Sequence, residues 1–258
     1  MLDALYQLLG LGYCVIPDSL LDSELEDLRR MASSVMRSDQ VAYACSAPFA
    51  LDFLHPALIG LLAQPRAALD AGLPDLRFYS ATLLNSKPGD GVGGWHWDWW
   101  AWDAVGLNWP WPPQIGVLYY LCDTSRANGC LRVLPCSHRT RLQWHARIRE
   151  IGPDTLPGET DVPVHAGDVV ILDARVMHSR HANGTAIDRT VVSTWYASQY
   201  QLLPESVQSY ISRAVPEIMR DQLGPLFPTY PGAELPVAPD YYSVCRCPEP
   251  AIAGTITQ

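Results

Sequence analysis

Residues 93–100 read Gly-Gly-Trp-His-Trp-Asp-Trp-Trp, a histidine and a carboxylate two positions apart inside a run of indoles. That spacing constrains the backbone, because residues i and i+2 point the same way only in an extended chain. His96 and Asp98 then converge on one point while Trp97 faces away. One imidazole and one carboxylate from a strand make two thirds of the 2-His-1-carboxylate triad that holds non-heme Fe(II). An isolated His-x-Asp also arises by chance, in a surface turn or around a core histidine. A third ligand has to come from elsewhere in the chain.

The sequence downstream offers one. Gly167-Asp-Val-Val-Ile-Leu-Asp173 reads as a turn entering a buried strand, and His178 reads as closing that strand. Arg189-Thr-Val-Val-Ser-Thr-Trp-Tyr196 is β-branched and aromatic, which predicts another strand with Arg189 and Ser193 on one face. A second histidine followed by a buried arginine with a hydroxyl partner suits a dicarboxylate bound beside iron. The guanidinium fork pairs bidentately with a carboxylate. His181 is the competing ligand, three residues after His178; counting forward from Gly167-Asp168 and back from Arg189 favours His178. His138 reads as structural in its Pro-Cys-Ser-His turn, and His55, His145 and His165 read as surface or core residues.

These pieces bring the chain into resemblance with a family. It resembles the phytanoyl-CoA dioxygenase-like branch of the Fe(II)/2-oxoglutarate oxygenases. The resemblance rests on Gly12-Tyr-Cys-Val-Ile-Pro-Asp-Ser-Leu-Leu, on Lys87-Pro-Gly89 ahead of His96-x-Asp98, on Asn128-Gly-Cys-Leu-Arg-Val-Leu-Pro-Cys-Ser-His-Arg139, and on Gly167-Asp168, His178 and Arg189. The pieces occur in the family's order over roughly residues 12–196. The resemblance implies Fe(II) on His96, Asp98 and His178. It implies 2-oxoglutarate on two further iron positions, with its distal carboxylate on Arg189 and Ser193 and Lys87 as a further candidate, and O2 at the last position. Three departures stand out. Trp97 replaces a Gln between the first two ligands, Cys136 replaces the Gly of Pro-Gly-Ser-His, and Leu118 sits where relatives often carry Trp.

Composition sets the outer limits. A chain of 258 residues that is 48% hydrophobic suits a single domain with an ample core. No apolar run approaches the roughly 18 residues of a membrane span, and residues 1–16 carry neither a basic leader region nor a cleavage site. The seven cysteines show no C-x-x-C pair, so neither a disulfide nor a zinc framework is indicated, and a reduced, cytoplasmic setting is expected. A net charge of −9 argues against nucleic acid and, more mildly, against acyl-CoA esters.

Along the chain, helices are expected at residues 2–10, from Asp18-Ser19 (or a capping box at Ser23 and Glu26) to about Arg37, and from Pro56 to Ala71. Strands are expected at residues 12–16, 78–87, 95–100, 115–121, 131–135, 162–165, 168–173 and 189–199. Many short strands with Gly/Pro turns, preceded by helices, predict an α+β, mainly β fold: a double-stranded β-helix, or cupin-like jelly roll, buttressed by N-terminal helices. The whole chain reads as one domain, core about 12–200, with an extension 201–258 that wraps the barrel or forms a lid.

Seven of the nine tryptophans lie between residues 95 and 111. Indoles in a loop beside a metal either pack that loop or line a substrate site. Trp99, Trp100, Trp102 and Asp103 are the candidate substrate contacts, with Asn108 a further hydroxyl partner. Indole faces suit the C–H faces of sugars, flat rings and cationic amines. The function expected is C–H oxidation, by hydroxylation or ring formation, of a small natural product, with a sugar-containing antibiotic intermediate as one candidate. The alternatives are a hydroxylase of an amino acid or acyl thioester and, in another class, a metal-free jelly-roll binding protein. Halogenation needs the carboxylate position vacated, and Asp98 is present.

Overall fold

The computed structural model describes residues 2–37, 55–101, 105, 109–140, 155–215 and 217–232. Trp102, Asp103, Asn108 and His145, and the tail from residue 233, lie outside these residues. The N-terminal helices are α1 (Leu2–Leu11), α2 (Asp22–Arg37), α3 (Pro56–Ala63) and α4 (Arg66–Asp70). The helix expected over Pro56–Ala71 is two helices, because Pro65 has no N–H to donate and its ring blocks the preceding turn. His55 is neither core nor idle surface: its Nδ1 accepts from the N–H of Ala57 and caps α3. Helix α2 begins at Asp22, later than Asp18-Ser19, because Ser19 and Leu20 both donate backbone N–H groups to Gly167 O and so stay outside the helix.

The strands are β1 (Tyr13–Ile16), β2 (Arg77–Ser86), β3 (Gln114–Tyr120), β4 (Leu131–Val133), β5 (Thr160–Val162), β6 (Val169–Asp173), β7 (His178–Arg180) and β8 (Arg189–Ala197). Five form an antiparallel sheet in the order β1-β6-β3-β8-β2; three form a second sheet, β5-β4-β7. This is the jelly-roll plan without a closed barrel. Alternation along the large sheet sorts its side chains into two cores. Ile115, Val117, Tyr119, Val169, Ile171 and Val192 pack against Leu28, Met31, Leu58 and Leu62 of the helices. Leu118, Tyr120, Val170, Leu172 and Val191 face inward and meet Leu131, Val133 and Val162 of the small sheet. The period-2 pattern thus decides which residues line the interior.

Two expected strands differ. His178 does not close the strand that starts at Gly167; β6 stops at Asp173, and His178 opens β7 in the other sheet. The cause is a buried turn. Val176 N–H donates to Asp173 O, and the Arg175 guanidinium pairs with the Asp173 carboxylate at 2.7 Å. The stretch 95–100 is not a continuous strand either. It is extended backbone joined to β7 by a bridge between His96 and His178.

After β8, Tyr200 and helix α5 (Glu205–Ala214) fold back onto the tryptophan-bearing segment. Tyr200, Leu203, Val207 and Ile211 share one buried cluster with Trp95, Trp97, Trp99 and Trp100. No helix among the described residues is long and apolar enough to cross a membrane.

His138 is structural, as expected: it is buried, and its Nε2 lies 3.3 Å from Leu9 O. The turn that carries it contains Cys136 at φ +65°. A left-handed conformation costs an L-residue roughly 1–2 kcal/mol, which accounts for the glycine at this place in Pro-Gly-Ser-His. Glycine recovers that strain but loses about 0.5–1 kcal/mol in backbone entropy. Cys136→Gly is therefore expected to stabilise the fold by up to about 1 kcal/mol. Urea denaturation midpoints for the two proteins check it; a lower midpoint for the glycine variant contradicts the strain argument.

Candidate metal centre

The backbone assembles the centre before any side chain acts. His96 N–H donates to His178 O at 3.0 Å, and His178 N–H donates back to His96 O at 2.9 Å. Asp98 and Trp99 both donate to Ala174 O at 2.8 Å, so the turn that ends β6 holds the carboxylate-bearing residue. The segment is clamped on its other side by Arg132 of β4. That guanidinium stacks over Trp95 at 4.6 Å and lies within reach of Gly93 O and Ser179 Oγ. Ser179 Oγ also donates to Gly93 O at 2.5 Å. Arg132 is visible in the sequence, but nothing in its spacing announces that it fastens the ligand segment.

The side chains converge as the triad requires. His96 Nε2 lies 3.8 Å from Asp98 Oδ1, and His178 Nε2 lies 3.7 Å from Asp98 Oδ2. The imidazoles stand 4.2 Å apart between ring centroids. Each Nδ1 sits 3.0 Å from a backbone carbonyl, Gly94 O for His96 and Val176 O for His178. A carbonyl only accepts, so Nδ1 carries the proton on both rings and each Nε2 lone pair faces the common point. Burial, with His96 alongside, pushes the His178 imidazole down to about 4, against the opposing effect of Asp98. His178 is therefore neutral at pH 7, the state a metal ligand needs. Asp98 is oriented in turn by Trp195 of β8, whose indole N–H donates to Asp98 Oδ2 at 3.1 Å. Oδ1 is left without that partner. His178 is buried, whereas the His96 side chain is 41% exposed, so the centre opens on the His96 side.

His181, the competing histidine, points to a different place. Its Nε2 meets Asp161 Oδ1 at 2.5 Å, and it groups with Cys130 and Asp161 rather than with His96 and Asp98.

Arg189 and Ser193 share the inward face of β8 with Val191 and Trp195. Arg189 is buried and its Nε has no hydrogen-bond partner. Among the described residues no carboxylate pairs with it. Burial lowers its pKa, and the Tyr120 side chain acts in the opposite sense. Tyr120 on β3 and Thr82 on β2 also carry buried hydroxyls without partners, and by strand register both face the same interior. A buried guanidinium near the Tyr120 hydroxyl, with Thr82 further along the same inner face, fits one end of a dicarboxylate such as 2-oxoglutarate. Tyr120 and Thr82 went unnoticed in the sequence, although alternation with Leu118 and Ser193 would have found them. Arg180 was missed too; it lies close enough to depress Arg189 and donates to Ser86 Oγ at 3.2 Å. Lys87 follows β2, with its N–H held by Asp90 Oδ2 at 2.9 Å.

Trp99 and Trp100 are packed. Trp99 is 0% exposed and its indole N–H donates to Val105 O at 3.1 Å. Trp100 stacks on Tyr210 of α5 at 4.4 Å. Both side chains are buried in this structure. Trp109 and Trp111 are half-buried, and their carbonyls are held by Arg175 at 3.0 and 3.1 Å.

Trp195 supplies a direct test of the metal geometry. Removing the partner that orients a ligating carboxylate typically weakens metal binding by about 10–100-fold. Trp195→Phe keeps the ring and deletes the donor, so anaerobic Fe(II) titration is expected to show a loss of that order. Unchanged affinity rules out the orienting role.

The phytanoyl-CoA dioxygenase (PhyH) family model matches residues 10–191. Dioxygenase ALT11 of Alternaria alternata is 26% identical over 199 residues, 73% of this chain. The match spans 61% of that relative's length. Among solved structures, the α-ketoglutarate-dependent carbocyclase SnoK from nogalamycin biosynthesis is 23% identical with TM-score 0.59, covering 76% of this chain and 83% of its own. HygX from Streptomyces hygroscopicus, solved with nickel and 2-oxoglutarate bound, is 22% identical with TM-score 0.60, covering 77% and 87%. At these identities the structures establish the shared jelly-roll fold, while the family match spans most of the chain and takes in His96, Asp98, His178 and Arg189: the chain belongs to the phytanoyl-CoA dioxygenase (PhyH) family.

Proposed function

We propose that this protein is an Fe(II)/2-oxoglutarate-dependent oxygenase that oxidises a C–H bond of a small natural product. The observation that carries the reading is the pairing of a 2-His-1-carboxylate cluster with a buried arginine that has no carboxylate partner among the described residues. His96, Asp98 and His178 would hold the iron, and Arg189 with Tyr120 and Thr82 would hold the distal carboxylate of 2-oxoglutarate. Ser193 and Lys87 remain candidates at the co-substrate. When bound, iron, 2-oxoglutarate and O2 together supply an oxidation in which 2-oxoglutarate leaves as succinate and CO2.

The chain's own residues do the rest. The carbonyls of Gly94 and Val176 fix the two imidazole tautomers. Trp195 holds one carboxylate oxygen and leaves the other free. Arg189 orients the co-substrate, and the packed indoles and α5 keep water from the buried side. Substrate reaches the centre from the half-exposed His96 side. Trp109, whose carbonyl is held by Arg175 one residue from the carbonyl that holds Asp98, joins Trp99 and Trp100 as a candidate indole face near the centre. Trp102 and Asp103 stay with the proposal as substrate contacts. SnoK bears the name of a carbocyclase, which favours a tailoring step, hydroxylation or ring formation, on a polycyclic or glycosylated molecule.

Removing a buried bidentate partner costs about 2–5 kcal/mol. Arg189→Ala is therefore expected to raise the 2-oxoglutarate concentration needed for half-maximal turnover at least roughly thirtyfold. Succinate release is measured with glycosides, polycycles, amino acids and acyl thioesters as candidate substrates. An unchanged requirement removes Arg189 from the co-substrate site. Turnover of an acyl-CoA, with no response to glycosides or polycycles, overturns the substrate class.

A further inference from the structure

A second group of metal-binding side chains stands apart from the iron triad. Cys130, Asp161 and His181 each present a donor atom, and the three donors lie within 4.8 Å of one another. Strand pairing brings them together. Register pairs Leu131 of β4 with Val162 of β5 and with Arg180 of β7. One step further, His181 N–H donates to Cys130 O at 3.1 Å, so the two residues are opposed. Alternation puts Cys130, Asp161 and His181 on the face of the small sheet opposite Leu131 and the inner core. His178 and Arg180 point to the other face, which is why two histidines three residues apart serve different places.

The chemistry of the trio is specific. It combines a thiol, an imidazole and a carboxylate. Cys130 and His181 are buried, and Asp161 is partly open to solvent. His181 Nε2 meets Asp161 Oδ1 at 2.5 Å, while Asp161 Oδ2 faces the exposed Arg126 at 3.5 Å. Sulfur, nitrogen and oxygen donors together suit a borderline-soft divalent ion. Three protein ligands leave the fourth tetrahedral position for water on the Asp161 side, which makes the ion exchangeable. In such an ion, with bonds near 2.0–2.3 Å, the ligand atoms stand roughly 3.5 Å apart. Small rotations of side chains already within 4.8 Å reach that spacing.

We propose that Cys130, Asp161 and His181 form a second, exchangeable metal site of the zinc class. On binding, the Cys130 thiol releases its proton to solvent, the single N–H of the His181 ring sits on Nδ1 so that Nε2 offers its lone pair, and the ion replaces the hydrogen bond between His181 and Asp161. Arg126 swings away from the carboxylate it now faces. The site shares β7 with the iron centre: His181 lies just past the strand that His178 opens, so an ion here braces its far end.

The two sites differ in one respect that an experiment reads directly: the iron triad contains no sulfur. Protein freed of metal by a chelator is titrated anaerobically with Co2+. Bound metal per chain is counted by elemental analysis, and sulfur-to-cobalt charge-transfer absorption is followed in the near ultraviolet. The parent is expected to take up two equivalents and show the band. Cys130→Ser is expected to keep one equivalent and lose the band. His178→Ala is expected to keep one equivalent and retain the band, which Zn2+ then bleaches by displacement. His181→Ala, a second variant, is expected to weaken the band while leaving the iron-site equivalent in place. The proposal is overturned if the parent shows no band, if the band survives in Cys130→Ser, or if that variant still binds two equivalents. A His178→Ala protein that keeps both equivalents instead contradicts the iron triad and leaves this site standing.

Discussion

Two reciprocal backbone hydrogen bonds between His96 and His178 are the constraint on which the functional half of the molecule rests. They splice an irregular segment onto β7 and place two imidazoles side by side, tilted by 54°, without asking the side chains to find each other. The neighbouring pair from Asp98 and Trp99 to Ala174 O then sets the carboxylate opposite both rings. Each further element serves these four bonds. Arg132 and Ser179 fasten Gly93, the Asp173–Arg175 ion pair shapes the turn that presents Ala174, and Trp195 reaches from the large sheet to align Asp98. The triad is thus held by backbone geometry first and tuned by side chains second, the order that preorganisation requires.

The inner core carries an unbalanced charge for a reason of the same kind. A buried guanidinium without a carboxylate costs several kcal/mol unless an anion pairs with it. Among the described residues Arg189 has no carboxylate partner; Tyr120 lies near it and Thr82 on the same inner face, both with unpartnered hydroxyls, in a protein whose overall charge is −9. A core selected for stability alone would fill this place with an aliphatic side chain. A buried guanidinium in this condition is the feature that the proposed co-substrate site rests on.

Three-stranded pairing gives the two faces of β7 different destinations. His178 faces inward to Asp98, and His181 faces outward to Asp161 and Cys130. The residues share a strand and part at its end because a side-chain period of two separates odd from even positions. Cys130, Asp161 and His181 are some 20 to 30 residues apart in sequence, far from the short spacings by which zinc sites announce themselves.

The sequence alone determined the jelly-roll class, the extended presentation of His96 and Asp98, and Arg189 on a β-branched strand, because alternation and i, i+2 spacing are local properties that need no partner. It also singled out His178 over His181, although it placed His178 at the end of a strand that in fact stops at Asp173. Tertiary structure decided what locality cannot. It showed that Pro65 divides a helix and that Trp99 and Trp100 are buried under Tyr200 and α5. It placed Trp195 on Asp98, Arg132 over Trp95, Arg180 on Ser86, and the unpartnered hydroxyls of Tyr120 and Thr82 on the inner face. Each of these depends on which strand lies beside which. Strand order and register arise from burial of the whole inner face at once, and no window of residues contains that information.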